Sequence, residues 1–305
     1  MAGRRPNAAE GVDDARKVNA KVNILMKQRG LSLNEKKSIC LVLGTKKQRN
    51  TVRKELQINP LLCGNFETKE KDKDKWLGQI ISSSGLADSV AQTVNAKEGK
   101  IRGACLEIAL IINDWRAQDI GGMKTALLLW ELCCIPSLLH GAGTWVNINS
   151  ETEKRLNRIQ CWFVRLLLQV GPGSPVSALL WDTNLLDMGL RVYIEKAMMV
   201  IHIRGLEKDT LAGRIYEEQR RLKLPGLAQE TEEICRKLSI EDCNISRMGK
   251  SDYRKLITSA CHTLNEEIIR KEASAKKCTK IKEEEYGKRE YTNSQTISNT
   301  RNWFK

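Results

Sequence analysis

Val18, Val22, Leu25 and Met26 recur at helical spacing with basic residues between them. They predict a helix over about 13–29, ended by Gly30. Ahead of it, residues 1–12 have no periodicity and read as a disordered leader. Leu31 and Leu33 alternate with polar neighbours, and Ile39 to Leu43 is a short apolar run closed by Gly44, the pattern of a buried strand. Thr45 to Lys54 is basic and fits a helix or a loop. Pro60 and Cys63-Gly64 mark a turn, and Lys69 to Lys75 is a charge run expected as a solvated loop. Trp76 to Ser82 reads as a second strand, with a turn over 83–85.

From Leu86 the pattern becomes helical. Helices are expected over about 87–98 and 100–115, and over 123–139 with a kink or break at Pro136. Ser150-Glu151-Thr152-Glu153 has the form of a capping box with Ser150 as the cap. The helix after it is the most regular of the chain. Leu156, Ile159, Phe163, Leu166, Leu167 and Val170 form its apolar stripe, and Gly171-Pro172-Gly173 stops it. A short helix near 175–181 and a longer one over about 190–205 follow, with Met198 and Met199 as core filling. Beyond Leu206 apolar density falls. A charged amphipathic helix is expected over 210–224, a long solvent-facing one over 251–285, and disorder in the last twenty residues. The fold class is therefore mainly α with a small β remnant near 31–82 and a helical bundle behind it. Four segments are expected, at 1–12, 13–85, 86–205 and 206–305, with 86–205 the most independently stable.

The 305 residues suffice for a real core, and no apolar run of about 18 or more residues reads as a membrane span. The start of the chain has no apolar stretch of the secretory kind, so the expected location is intracellular, in nucleus or cytoplasm. The ten cysteines include no CxxC pair and the three histidines are scattered, which excludes zinc-site spacing and leaves reduced, mostly buried thiols. No phosphate-binding Gly-rich loop, GxSxG or HExxH occurs. Net charge is +14, and the first sixty residues hold fourteen Lys/Arg against five Asp/Glu. That asymmetry points to a polyanionic partner, nucleic acid first among them, with a solvated basic surface as the plainer reading.

Several short stretches change this picture by resemblance. They are Gly30-Leu31-Ser32-Leu33-Asn34-Glu35-Lys36-Lys37-Ser38, Lys75-Trp76-Leu77-Gly78-Gln79-Ile80-Ile81-Ser82, His140-Gly141-Ala142-Gly143-Thr144-Trp145 and Leu156-Asn157-Arg158-Ile159-Gln160. In this order they resemble the end of the palm and the thumb of reverse transcriptases of non-LTR retrotransposons. The resemblance spans roughly residues 16–224, with a weaker match to about 304. It implies that Lys37 lies near the incoming nucleotide, that Trp76, Leu77 and Gly78 form a primer-grip-like hairpin, and that Arg155, Arg158 and Arg165 line the groove holding an RNA template or RNA–DNA duplex. Lys36, Lys46, Lys47 and Arg49 join them as expected nucleic-acid contacts.

The same resemblance implies Mg2+ held by aspartates in the intact family. Here the nearest candidates are Asp13-Asp14 after Gly11-Val12. No apolar strand precedes them, they lie too close to Gly30 for the intervening strand, turn and helix, and they run straight into a helix. The expectation is a fragment truncated before the catalytic aspartates, with no catalytic or metal residues and no cofactor of its own. A stand-alone basic helical nucleic-acid-binding module and a helical protein-interaction protein remain open beside it. The sequence carries no signal for oligomeric state.

Overall fold

The computed structural model describes residues 8–32, 34, 38–63, 66–114, 120–207, 209–240 and 248–275. It is mainly α with short strands in small sheets, and the chain divides into units 1–93 and 94–305. No described helix is long and apolar enough to cross a membrane.

In the first unit, α1 (Ala8–Gln28) starts within the stretch expected as leader. Leu31 and Ser32 form no strand, so the β structure begins at β1 (Ile39–Leu41). Helix α2 (Lys46–Ile58) follows a capping box. Thr45 Oγ1 accepts from Gln48 N–H at 3.3 Å, and Gln48 Oε1 accepts from Thr45 N–H at 3.0 Å. Two-stranded pairs complete the unit. β2 (Leu62–Cys63) runs antiparallel to β3 (Phe66–Glu67), and β4 (Lys69–Lys71) pairs parallel with β1. β5 (Lys73–Trp76) and β6 (Gln79–Ser82) form a hairpin in which Trp76 pairs with Gln79.

The charge run 69–75 is therefore strand rather than loop. The segment expected as one strand is the tip and return of a hairpin. Its two-residue loop, Leu77-Gly78, has φ of 46° and 82°, the double left-handed geometry that matches strand twist. Packing in this unit is thin. Val12, Val42 and Val90 are its buried apolar side chains among the described residues, and α2 buries none. Polar pins hold α1 instead, with Arg16 donating to Asn59 O and Asn19 to Leu62 O, both at 2.6 Å.

The unit boundary falls inside α3 (Leu86–Asp114), which is continuous where a break near Gly99 was expected. Gly99 and Gly103 face open space, so each costs the helix only about 1 kcal/mol. Val94, Ile101, Cys105, Ile108 and Ile112 bury one stripe and outweigh that cost. Helix α4 (Ile120–Leu129) runs into a π-helical turn, Trp130–Cys134, and then α5 (Ile135–Leu138). The Ile135 N–H reaches back five residues to Trp130 O. A proline at 136 has no N–H to donate and would press its ring on the carbonyl four residues back. Widening the preceding turn removes that clash, so the expected break is a bulge just upstream.

Helix α6 (Ser150–Leu168) carries the expected stripe, with Leu156, Ile159 and Phe163 fully buried. Its cap is Asn149 rather than Ser150, because Asn149 Oδ1 takes the Thr152 N–H at 2.8 Å. Helices α7 (Val176–Thr183), α8 (Met188–Arg204), α9 (Leu211–Arg221), α10 (Leu227–Lys237) and α11 (Lys250–Ala275) follow. Falling apolar density along this stretch hid α10, which was not expected.

Helix α8 is the centre of this unit. It packs against α6, α9, α10, α11 and the short 3-10 turn Ala142–Thr144. Leu190, Ile194, Ala197 and Met198 cluster with Ile234 of α10, Leu238 at its C-terminal end, and Tyr253, Ile257 and Cys261 of α11. Lys196 is 4% exposed and donates to Glu230 at 2.6 Å, while the other Glu230 oxygen takes the Asn147 N–H at 2.6 Å. Buried Gln160 accepts from Trp130 Nε1 and donates to Leu186 O, tying the π turn and α6 to the chain before α8. The described cysteines 40, 105, 133, 134, 161, 235 and 261 are thiols.

Glycines 143 and 103 give opposite predictions. A Cβ on Gly143 would sit 2.9 Å from Glu195 O and Met199 Cβ. Gly143→Ala is expected to lower stability by about 1–3 kcal/mol in chemical denaturation. Gly103→Ala meets open space inside a helix and is expected to raise it by about 0.5–1 kcal/mol.

Candidate nucleic-acid interface

Helix α2 presents Lys46, Lys47, Arg49, Arg53 and Lys54, and a hollow of about 410 Å³ opens beside it in the first unit. Lys46, Arg49, Arg53, Lys73, Ser82 and Ser84 line this hollow with Asn50, Asp72 and Gln92. Its cations divide into two sets. Arg53 is committed internally, donating to Glu70 at 2.5 Å and to Asp72. The hydrogen bond from Arg53, then that from Ser83, holds the Asp72 carboxyl below its ordinary value, so Asp72 stays ionised and neutralised.

Arg49 is half committed. One guanidinium nitrogen donates to Ser83 Oγ at 2.8 Å, while its buried Nε has no hydrogen-bond partner. Lys46 and Lys73 form no ion pair with a described residue. The hollow is thus a cationic surface with donors to spare, suited to a phosphate oxygen rather than to a metal.

Of the expected site residues, Lys46, Lys47 and Arg49 fall together on α2. Lys36 and Lys37 lie outside the described residues. Trp76 and Leu77 form the tip of the β5–β6 hairpin with 64% and 69% exposure, and Gly78 completes its turn. Lys73 and the serines 82–84 were missed. Strand pairing alone brings them beside α2, and no local signal marks them.

The α6 arginines belong to the second unit and are engaged there. Arg155 donates to Glu98 on α3 at 2.6 Å, Arg158 pairs with Glu151, and Arg165 donates to Ser174 O at 2.8 Å. Burial pushes the Glu98 carboxyl up, but hydrogen bonds from Arg155 and Arg102 outweigh it and leave the carboxyl below its ordinary value. Arg102 also covers the Trp162 ring at 4.7 Å.

Asp13 and Asp14 do not fit a Mg2+ site. Each lies on α1 and pairs one helical turn on, with Arg16 at 2.9 Å and Lys17 at 3.5 Å. Among the described residues no three His, Cys, Asp or Glu side chains are grouped to hold a metal. Comparison of the chain with family models, curated proteins and solved structures finds no match.

Two measurements test this local chemistry. A carboxylate lowered by folding stabilises above its unfolded pKa, and that stability is lost as pH falls through the lowered folded value. The thermal midpoint of the wild type is therefore expected to drop between about pH 5 and pH 3, and Glu98→Gln to flatten part of that drop. Leu77 holds a left-handed backbone that costs a leucine about 1–2 kcal/mol. Leu77→Asn is expected to raise the protection of the hairpin amides in hydrogen exchange.

Proposed function

We propose that this chain holds nucleic acid as the template–primer-gripping end of a retrotransposon-type reverse transcriptase, and has no polymerase chemistry of its own. The observation that carries the reading is the α2 hollow, where Lys46 and Lys73 form no ion pair with a described residue beside the incompletely bonded Arg49. A charged donor left uncompensated by the fold is available to a phosphate, and sequence-independent phosphate contact is how a template or duplex is held irrespective of sequence. The basic bias of the first sixty residues supplies the long-range field that steers such a partner.

Trp76 and Leu77 add a second mode of contact. An exposed aromatic and an exposed aliphatic side chain at a hairpin tip offer a stacking surface to a primer-terminal base or sugar. Lys46, Lys47, Arg49 and Lys73 are the phosphate contacts in this reading, whereas the α6 arginines brace the helical unit. RNA template and RNA–DNA duplex are the partners, the setting is intracellular, and no residue is assigned to catalysis.

The test is fluorescence anisotropy with a labelled RNA–DNA duplex over a salt series. Log affinity is expected to fall linearly with log salt. Lys46→Ala and Lys73→Ala should each weaken binding and reduce the slope by about 1. Binding insensitive to salt, or to both substitutions, would sink the reading. Extension of a primer on an RNA template, abolished by EDTA, would overturn its non-catalytic part.

A further inference from the structure

Helix α3 buries one stripe and leaves the opposite one bare. Beyond Val94 it sends Ile101, Cys105, Ile108 and Ile112 into the core of the second unit. On the other side Ala96, Gly99, Gly103, Leu106 and Leu110 are exposed, spaced alternately by three and four residues. That spacing is the seam of a helix that packs along another helix. Leu106 and Leu110 are 47% and 63% exposed, and Ile111 beside them is 45% exposed. Large apolar side chains bared on adjacent turns of one helix form a patch rather than scattered exposure.

The seam is graded, small at its start and large at its end. A Cβ on Gly99 or Gly103 would meet nothing within 4 Å. The described chain thus gives no reason for either glycine, and each weakens the helix. The charges beside the seam are graded as well. Lys100 and Glu107 are both exposed and form no ion pair with a described residue. They lie seven residues apart, so both border the same edge of the seam.

A helix with this polarity complements itself when reversed. A twofold axis near Gly103 places Leu110 of one copy over Ala96 of the other, Leu106 over Gly99, and Lys100 beside Glu107. The three pairings agree on the position of that axis to within about one residue, or about 1.5 Å along the helix. Large side chains then meet small ones, opposite charges meet, and the glycines fall where the two backbones come closest.

We propose that this face of α3 is a self-association surface, on which a second copy of the chain packs antiparallel over residues 96–110. Size complementarity and charge complementarity, set independently along the helix, select the same partner and the same axis. One helix face is small beside the roughly 800 Å² per partner of a standard interface, so the dimer is a weak one that forms in the micromolar range. The assignment is independent of the proposed nucleic-acid contact, whose residues lie in the other unit.

Sedimentation velocity of the full chain, freed of nucleic acid, tests it over a concentration series reaching hundreds of micromolar. The chain is expected to pass from monomer to dimer and no further, because a twofold contact is closed. Lys100→Glu alone and Glu107→Lys alone each set like charges together twice across the axis and should weaken association at least tenfold. An equimolar mixture of these two variants restores both pairs and should dimerise as tightly as the wild type. Gly103→Leu should abolish the dimer without lowering the melting curve, since a Cβ there meets open space in the single chain. Circular dichroism checks that each variant folds. A chain that stays monomeric or grows beyond a dimer would overturn the proposal. So would a dimer indifferent to these substitutions in folded protein, or variants that fail to recover on mixing.

Discussion

A lysine with 4% of its surface exposed sits in the middle of α8, and the helical unit is organised around keeping that charge compensated. Removing an ammonium from water costs several kcal/mol unless an acid meets it with good geometry. Glu230 meets it, which fixes how α10 docks on α8. The second Glu230 oxygen takes the Asn147 N–H, which fixes the chain leading into α6. One compensated charge therefore couples three parts of the fold that are far apart in sequence. Deleting Glu230 would leave Lys196 buried and without its acid, at about 3–5 kcal/mol. Hydrophobic burial around α8 supplies most of the cohesion, but it is non-directional. The ion pair selects one docking among the many that would bury similar area.

The first unit works by the opposite logic. Few of its apolar side chains are buried, and its elements are joined by side-chain bonds to loop carbonyls and by ion pairs between α2 and the strands. Exposed ion pairs and short two-stranded sheets stabilise little. The same design leaves Lys46 and Lys73 exposed and with no ion pair to a described residue. The proposed nucleic-acid contact thus falls where the fold itself is least self-sufficient.

Legibility in the sequence followed the range of the determining interaction. Helix α6 was readable because its apolar residues repeat at the helical period, and only its cap was misplaced, by one residue. The continuity of α3 was not readable. A glycine reads as a stop locally, and what overrides it is the buried stripe from Val94 to Ile112. Helix α10 was hidden because its burial comes from Ile234, Cys235 and Leu238 meeting α8 and α11, not from a long periodic run. At the candidate site, the basic character of α2 was legible. Which cations remained uncommitted was not, since Arg53 is neutralised by residues 17 and 19 positions away and Arg155 by one 57 positions away. The hairpin shows the same limit. Leu77 is a poor residue for a left-handed turn, so composition hid the turn, and only the resemblance implied a hairpin at Trp76, Leu77 and Gly78.

The π turn at Trp130–Cys134 carries a consequence for how this segment can change over time. It holds one residue more than an α-helical turn would, and that residue keeps the Pro136 ring clear of the carbonyl behind it. Losing one residue from the turn would close the ordinary hydrogen-bond ladder and press the Pro136 ring back onto the carbonyl four residues before it. Relieving that clash would kink the helix and displace the buried Leu138 and Leu139 and the turn that brings Gly143 against α8. Side chains along this stretch can drift within the limits of packing, but its length is under a far stricter rule. The segment counts residues more strictly than it reads them.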